Sequence, residues 1–206
     1  MITAVITNYN KPPEILKRCI DSVVAQGLKY ILVDDASDST EHLEQYENVI
    51  MLDENVGAYK AFEIGLNLVD TRYVMRVDGD DYITGVPQID ENYDAIFLNI
   101  DGKVTLDVEE FICRPYAGLN GGIIRTNIMK KEWFSGVLYY GDIINFVKII
   151  SKYKCKLLDE STYVYDRDYS FITKMDSKLR FEYIENAKKL AREENREGVL
   201  KWLKNM

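Results

Sequence analysis

Three carboxylates stand within four residues in Asp78-Gly79-Asp80-Asp81, directly after the apolar run Tyr73-Val74-Met75-Arg76-Val77. Ionised and unpaired, they would repel one another wherever water is partly excluded. A hard divalent cation removes that cost. Mg²⁺ takes one or two protein carboxylates together with substrate phosphates, and Mn²⁺ accepts the same oxygen ligands. An acidic turn alone is equally well a solvated loop, because Asp and Gly populate ordinary turns. Two further clusters change the balance. Thr7-Asn8-Tyr9-Asn10 offers a ring for stacking and several hydrogen-bonding groups, and Asp34-Asp35 offers an acceptor. Together they could stack and pair a nucleobase, while Asp78 and Asp80 handle ribose and a metal-bound diphosphate. Taken singly, Tyr9 is packing and Asp35 a helix cap.

The elements that must position these groups follow from the apolar pattern. Segment 2–8 and Tyr30-Ile31-Leu32-Val33 are short apolar runs, the pattern of strands covered on both faces. Between them Pro12-Pro13-Glu14 opens a helix, Ile15, Cys19, Ile20 and Val23 recur at helical spacing, and Gly27 ends it. A short acidic helix is expected within 39–47, a third strand at 49–52, and a helix at 56–69 with Ala58, Phe62, Gly65 and Val69 on one face. Tyr73–Val77 is the fourth strand. This alternation predicts a mostly parallel sheet flanked by helices, in which ligands gather beyond the carboxyl ends of the strands. Three of the four strand exits carry the polar clusters.

After residue 90 the alternation weakens. Segments 94–100 and 103–108 read as a hairpin around Asp101-Gly102. Gly118, Gly121 and Gly122 precede Ile123-Ile124-Arg125; the last two glycines allow either a close backbone approach to a sugar or a plain turn. Helices are expected at 126–134 and 142–152, a strand at 156–165, and a long amphipathic helix over 177–204 with Phe181, Ile184, Ala191, Val199 and Leu203 on one side.

The bulk properties narrow the classes. The chain has 206 residues, enough for one domain with a terminal extension, and no apolar stretch long enough to span a membrane. The N-terminus reads as a buried strand rather than a secretion signal. Cys19, Cys113 and Cys155 are odd in number and widely spaced, which points to a reducing, cytoplasmic setting and away from a disulfide framework or zinc cluster. Cys19 reads as core filler and the single His42 as surface, so a Ser/His or Cys/His hydrolase has little to work with. The net charge of −8 disfavours broad nucleic-acid binding. The region from Lys174 to Lys204 carries nine basic residues against six acidic. That excess allows peripheral membrane contact, with ordinary packing the default for the helix.

The segments TNYNKPPEILKRCIDSVVAQ, ILVDDASD, ENVGAYKAFEIGL and YVMRVDGDDY, in this order and spacing, resemble the N-terminal half of family-2 glycosyltransferases of the GT-A fold. The resemblance covers roughly residues 2–170. It implies a Rossmann-like α/β domain over 1–170, with a nucleotide-binding half (1–90) and an acceptor half (91–170), and leaves 171–206 as a helical extension. It further implies that Thr7, Tyr9 and Asp35 bind the donor nucleotide, commonly uridine. Asp78 and Asp80 would form the DxD element, with Asp80 the direct ligand of Mn²⁺ or Mg²⁺ and Asp81 beside it as a further candidate. Phe62 and Glu63 stand where the family has Arg and Asn; Lys60 either supplies the missing charge toward the diphosphate or is a surface lysine.

GVLYYGDIINFVKII resembles the region of the family's Glu-Asp pair, with Gly141 in place of the glutamate and Asp142 retained. By resemblance Asp142 is the general base; its other reading is a cap for the following helix. In YVYDRDYS, Asp168 is a candidate for the metal shell and Arg167 for a diphosphate contact, and a strand-end salt bridge accounts for them equally well. The implied reaction is inverting transfer of a hexosyl group from a UDP-sugar to an acceptor hydroxyl. A catalytically silent nucleotide-sugar-binding module is the alternative kept open by Gly141, Phe62 and Glu63. A sugar-phosphate nucleotidyltransferase fits less well, because it calls for a Gly-rich basic loop after the first strand.

Overall fold

The computed structural model describes residues 1–116, 118–137, 139–166, 168 and 177–204, the last span with side chains at 177–178, 181–182 and 184–193. The elements are β1 (Ile2–Asn8), α1 (Pro13–Ala25), β2 (Lys29–Asp34), β3 (Val49–Met51), α2 (Ala58–Leu68), β4 (Tyr73–Asp78), β5 (Tyr82–Ile83), β6 (Ala95–Leu98), α3 (Val108–Cys113), β7 (Ile123–Arg125), α4 (Thr126–Glu132), α5 (Gly141–Ile150), β8 (Cys155–Leu158), β9 (Tyr163–Val164) and α6 (Ser177–Lys204).

Seven strands form one sheet in the order β3-β2-β1-β4-β7-β6-β8, and β5 pairs with β9 in a small antiparallel ribbon. In the large sheet β7 runs antiparallel to both its neighbours, β4 and β6, and the remaining pairs are parallel. This is the expected mixed, mostly parallel α/β architecture. Every residue of β1 is buried, as a central strand covered by helices on both faces requires. The helices contribute Leu16, Cys19, Ile20 and Val23 from α1 and Phe62 and Leu66 from α2 to the same core.

The register sets the site. Thr7 of β1 lies opposite Asp78 of β4, and Asn8 lies opposite Asp34 of β2. The three polar clusters thus leave the sheet side by side at one edge.

Several expectations are corrected. The 103–108 strand does not form: a 3-10 turn at Ile100–Gly102 leads into α3. Asp107 caps that helix by accepting the Glu110 N–H at 2.7 Å, with Glu110 itself at the third helical position. This N-cap outweighs the turn signal of Asp101-Gly102; the Asp107 N–H itself donates to Thr105 Oγ1 at 3.1 Å. The acidic helix within 39–47 reduces to a 3-10 turn at Glu41–Leu43, and the strand expected over 156–165 divides into β8 and β9. His42 is half-buried rather than exposed.

On α6 the inward residues are Ala187 and Ala191, whereas Phe181 is 64% exposed; the side chains of Val199 and Leu203 lie outside the described residues. The helix packs on α5 and α3. Among the described residues no helix is long and apolar enough to cross a membrane.

Candidate functional site

Each acidic residue of the Asp78–Asp81 loop has a different environment. Asp78 accepts hydrogen bonds at one oxygen from Arg76 Nη2 (2.7 Å) and at the other from Asn120 Nδ2 (3.1 Å). Asp80 accepts from the Lys11 ammonium at 2.8 Å. Asp81 is fully buried; it accepts the Tyr163 hydroxyl proton at one oxygen and the Asp166 N–H, at 2.8 Å, at the other. Asp81 therefore ties the loop to the chain beyond β9, and both its oxygens are engaged in doing so.

The crowding of charge is visible in the acidities. Burial, reinforced by Asp78 and Asp80, pushes Asp81 up to about 8. Burial also raises Asp80, with Lys11 opposing it and Asp78 adding to it. Among the described residues no group of three or more His, Cys, Asp or Glu side chains is placed to hold a metal ion. The loop does not form a closed cage. What it presents is a buried carboxylate, Asp80, at which the cost of burial outweighs the pull of Lys11. That fits a divalent ion arriving with phosphate oxygens as its other ligands.

Arg18 of α1 braces the loop. Its guanidinium donates to the Asp80 carbonyl and to Asp166 Oδ2, each at 2.7 Å, and lies over the Tyr82 ring at 4.7 Å from the centroid. A salt bridge beyond β9 is made by Asp166 with Arg18. Asp168 is exposed, with its N–H donating to Asp166 at 3.1 Å, and Arg167 lies outside the described residues.

Gly121 and Gly122 are closely packed. Gly121 has φ +69°, and a Cβ there would lie 2.6 Å from the Tyr163 ring, while one at Gly122 would lie 2.9 Å from Phe97. Because the Tyr163 hydroxyl anchors Asp81 and also accepts the Asp78 N–H at 3.2 Å, Gly121 indirectly sets the loop. Gly121→Ala combines positive φ with overpacking and should lower unfolding free energy by about 1–3 kcal/mol. A urea midpoint equal to that of the parent would contradict this.

At the exit of β1, Tyr9 is 47% exposed and Thr7 is buried. Asp34 is a scaffold residue that accepts from Asn8 Nδ2 and from the Ser37 N–H and hydroxyl. Asp35 accepts the N–H groups of Val56 (2.7 Å) and Gly57 (2.9 Å) at the start of α2. Its carboxylate does act at a helix N-terminus, as a cap would, although it sits on another segment. Lys60 is not drawn toward the acidic loop: its ammonium pairs with Glu63 on the same helix, and Glu63 also accepts from Ser135.

Asp142, in the first turn of α5, is drawn to the same end of the sheet as Asp78. It accepts the Tyr59 hydroxyl proton at 2.9 Å. Burial raises its pKa from the ordinary carboxylate value, against the opposing pull of Arg76 and the Tyr59 hydroxyl and with Asp78 adding to the rise. Arg76 is 4% exposed, salt-bridged to Asp78, with its guanidinium 5.1 Å from the centre of the Tyr59 ring. Burial alone would make Arg76 easier to deprotonate; Asp78, then Tyr59 and Asp142, more than reverse that. Arg76, Tyr59, Asn120, Arg18 and Tyr163 were not among the expected site residues. Arg76 carried a signal, since a charged residue inside an apolar strand must find a partner.

This arrangement is that of the GT-A fold, and comparison with known proteins agrees. The sequence profile of "Glycosyl transferase family 2" matches residues 3–106, half of the chain, and the chain belongs to that family. No match was found among curated protein sequences. Among solved structures the chain is similar to S. aureus TarS 1-349 in complex with UDP-GlcNAc (TM-score 0.66, 18% identity, covering 90% of this chain and 66% of that one). It is similar to the same protein in complex with UDP (TM-score 0.65, 18% identity, 91% and 64%). Similarity to S. aureus TarS itself has a TM-score of 0.66 at 20% identity, over 89% of this chain and 38% of that one. These likenesses establish the fold, and the chain spans less than two thirds of the length of each of these structures.

Proposed function

We propose that the chain is an inverting glycosyltransferase that moves a sugar from a nucleoside diphosphate donor, a UDP-sugar, to an acceptor hydroxyl. The observation that carries this reading is the convergence of Asp78 and Asp142 on the buried Arg76. A donor-side carboxylate and a candidate base, from distant parts of the sequence, belong to one electrostatic unit. Family membership and the UDP and UDP-GlcNAc complexes of TarS support the choice of donor.

In this reading Tyr9 stacks on the base, with Thr7 and Asp35 at the nucleoside. Asp80, with Asp78 beside it, would hold Mn²⁺ or Mg²⁺, which supplies Lewis-acid neutralisation of charge on the leaving diphosphate. Lys11, already against Asp80, brings a further positive charge to the diphosphate side. Asp142 takes the acceptor's proton as the hydroxyl attacks the anomeric carbon opposite the diphosphate, inverting that centre. Residues 1–170 would form the transferase domain, with 171–206 as an extension packed on its acceptor half.

Release of UDP from a panel of UDP-sugars, with and without Mn²⁺, tests the reading. Metal-stimulated release supports it; tight UDP binding without release from any donor favours the silent binding module. Tyr9→Ala should weaken UDP binding by about 0.5–1.5 kcal/mol, as loss of one aromatic stack does. Calorimetric affinities equal to the parent's would remove Tyr9 from the site.

A further inference from the structure

Tyr59 is buried in α2, and its backbone carbonyl accepts the Trp133 indole N–H at 3.0 Å, which fixes the residue in place. Its ring contacts Trp133 and lies under the Arg76 guanidinium. Its hydroxyl has one described use, donation to Asp142 Oδ1. The backbone of Gly141 closes the other side: a Cβ there would lie 3.1 Å from two carbons of the Tyr59 ring and 2.9 Å from Val137. The preceding Tyr140 takes a left-handed conformation, φ 58°, to start α5 at this point. Glycine at 141 and tyrosine at 59 are thus two halves of one fit. The absent side chain leaves the space that the ring fills, and the ring delivers a proton donor to Asp142.

From this fit we propose that Tyr59 is the positioning residue for Asp142, orienting its carboxylate toward the acceptor and holding it ionised, with Gly141 keeping the space the ring needs. This rests on the reading of Asp142 as the base. A hydrogen bond donated to a carboxylate favours the charged form. The groups facing Asp142 are Tyr59 from α2 and Arg76 and Asp78 from β4. The first two favour ionisation and Asp78 opposes it, so loss of the hydroxyl leaves Arg76 and the residue's own backbone N–H to act against burial.

The test uses the full chain. Tyr59→Phe keeps the ring and removes the hydroxyl. With UDP-GlcNAc and Mn²⁺ as probes, kcat for UDP release should fall roughly tenfold to a hundredfold, the scale of a hydrogen bond to a charged group, with KM for the donor little changed. The acidic limb of kcat should move to higher pH. Gly141→Ala, which crowds the ring without removing the hydroxyl, should shift that limb in the same direction. A ¹³C NMR titration of the Asp142 carboxyl needs no donor and should show the same upward move in both variants. An Asp142 carboxyl that titrates identically in the parent and Tyr59→Phe would overturn the proposal. Asp142→Asn separates the two claims. If it abolishes release while Tyr59→Phe does not alter it, only the positioning role fails; if it leaves release intact, the base reading fails and the positioning role with it.

Discussion

Asp142→Asn is expected to reduce turnover by about 10²–10⁴-fold, the range for loss of a positioned proton acceptor, while donor affinity is retained. The amide keeps the shape of the side chain and can still accept from the Tyr59 hydroxyl, so the surrounding structure should persist. Only the ability to take a proton is removed. Burial raises the pKa of Asp142, so turnover in the parent should also decline on acidification before the pH reaches the ordinary carboxylate value. The asparagine variant should lack that decline in its residual rate. Steady-state UDP release together with UDP-sugar titration checks both halves. Parent-like turnover would leave Asp142 as a helix-terminal carboxylate and nothing more.

The second large effect is expected at Arg76. Arg76→Met keeps the length of the side chain and removes the only described cation paired with Asp78, which is then held by Asn120 alone. Breaking a buried ion pair from one side costs about 3–5 kcal/mol, because the remaining charge stays uncompensated. Asp142 would also lose a positive charge that favours its ionisation, and it should become harder to ionise. Donor binding and turnover should therefore fall together with stability. Urea unfolding at neutral pH measures the loss of stability. A variant as stable as the parent at neutral pH would show that the pair contributes little.

How much of this was legible in the sequence depends on which interactions decide each element. β1 and β4 are central strands buried on both faces and β2 is buried over its second half, and such strands announce themselves as continuous apolar runs ended by polar clusters. Their parallel register then forces Thr7, Asp34 and Asp78 to one edge, so the location of the site followed from pattern and topology. The second half obeys longer-range rules. β6 runs between β7 and β8, which lie far along the chain, and a local hairpin signal at Asp101-Gly102 could not reveal that. On α2 the expected face holds at Phe62, Gly65 and Val69, but Ala58 is exposed and Tyr59, outside that face, is buried, so the residue that holds Asp142 carried no signal in the apolar pattern.

Side-chain partnerships were the least legible part. The sequence presents Asp78, Asp80 and Asp81 as three equivalent acids. In the fold one pairs with Arg76 and Asn120, one with Lys11, and one is locked by Tyr163 from the small ribbon. Lys60, chosen for its closeness in sequence to the Asn55–Gly57 segment, instead pairs with Glu63 three residues on. Lys11 and Arg18, which supply the positive charge at the loop, come from the other side of the sheet's edge, on and before α1.

The central claim is that the Asp78–Asp81 loop and Asp142 face one donor. A crystal structure with UDP-GlcNAc and manganese, with the ion located by anomalous scattering, tests it most directly. The account predicts an anomalous peak on Asp80, the uracil against Tyr9, and the anomeric carbon turned toward Asp142. Manganese bound elsewhere, or a sugar pointing away from α5, would contradict it.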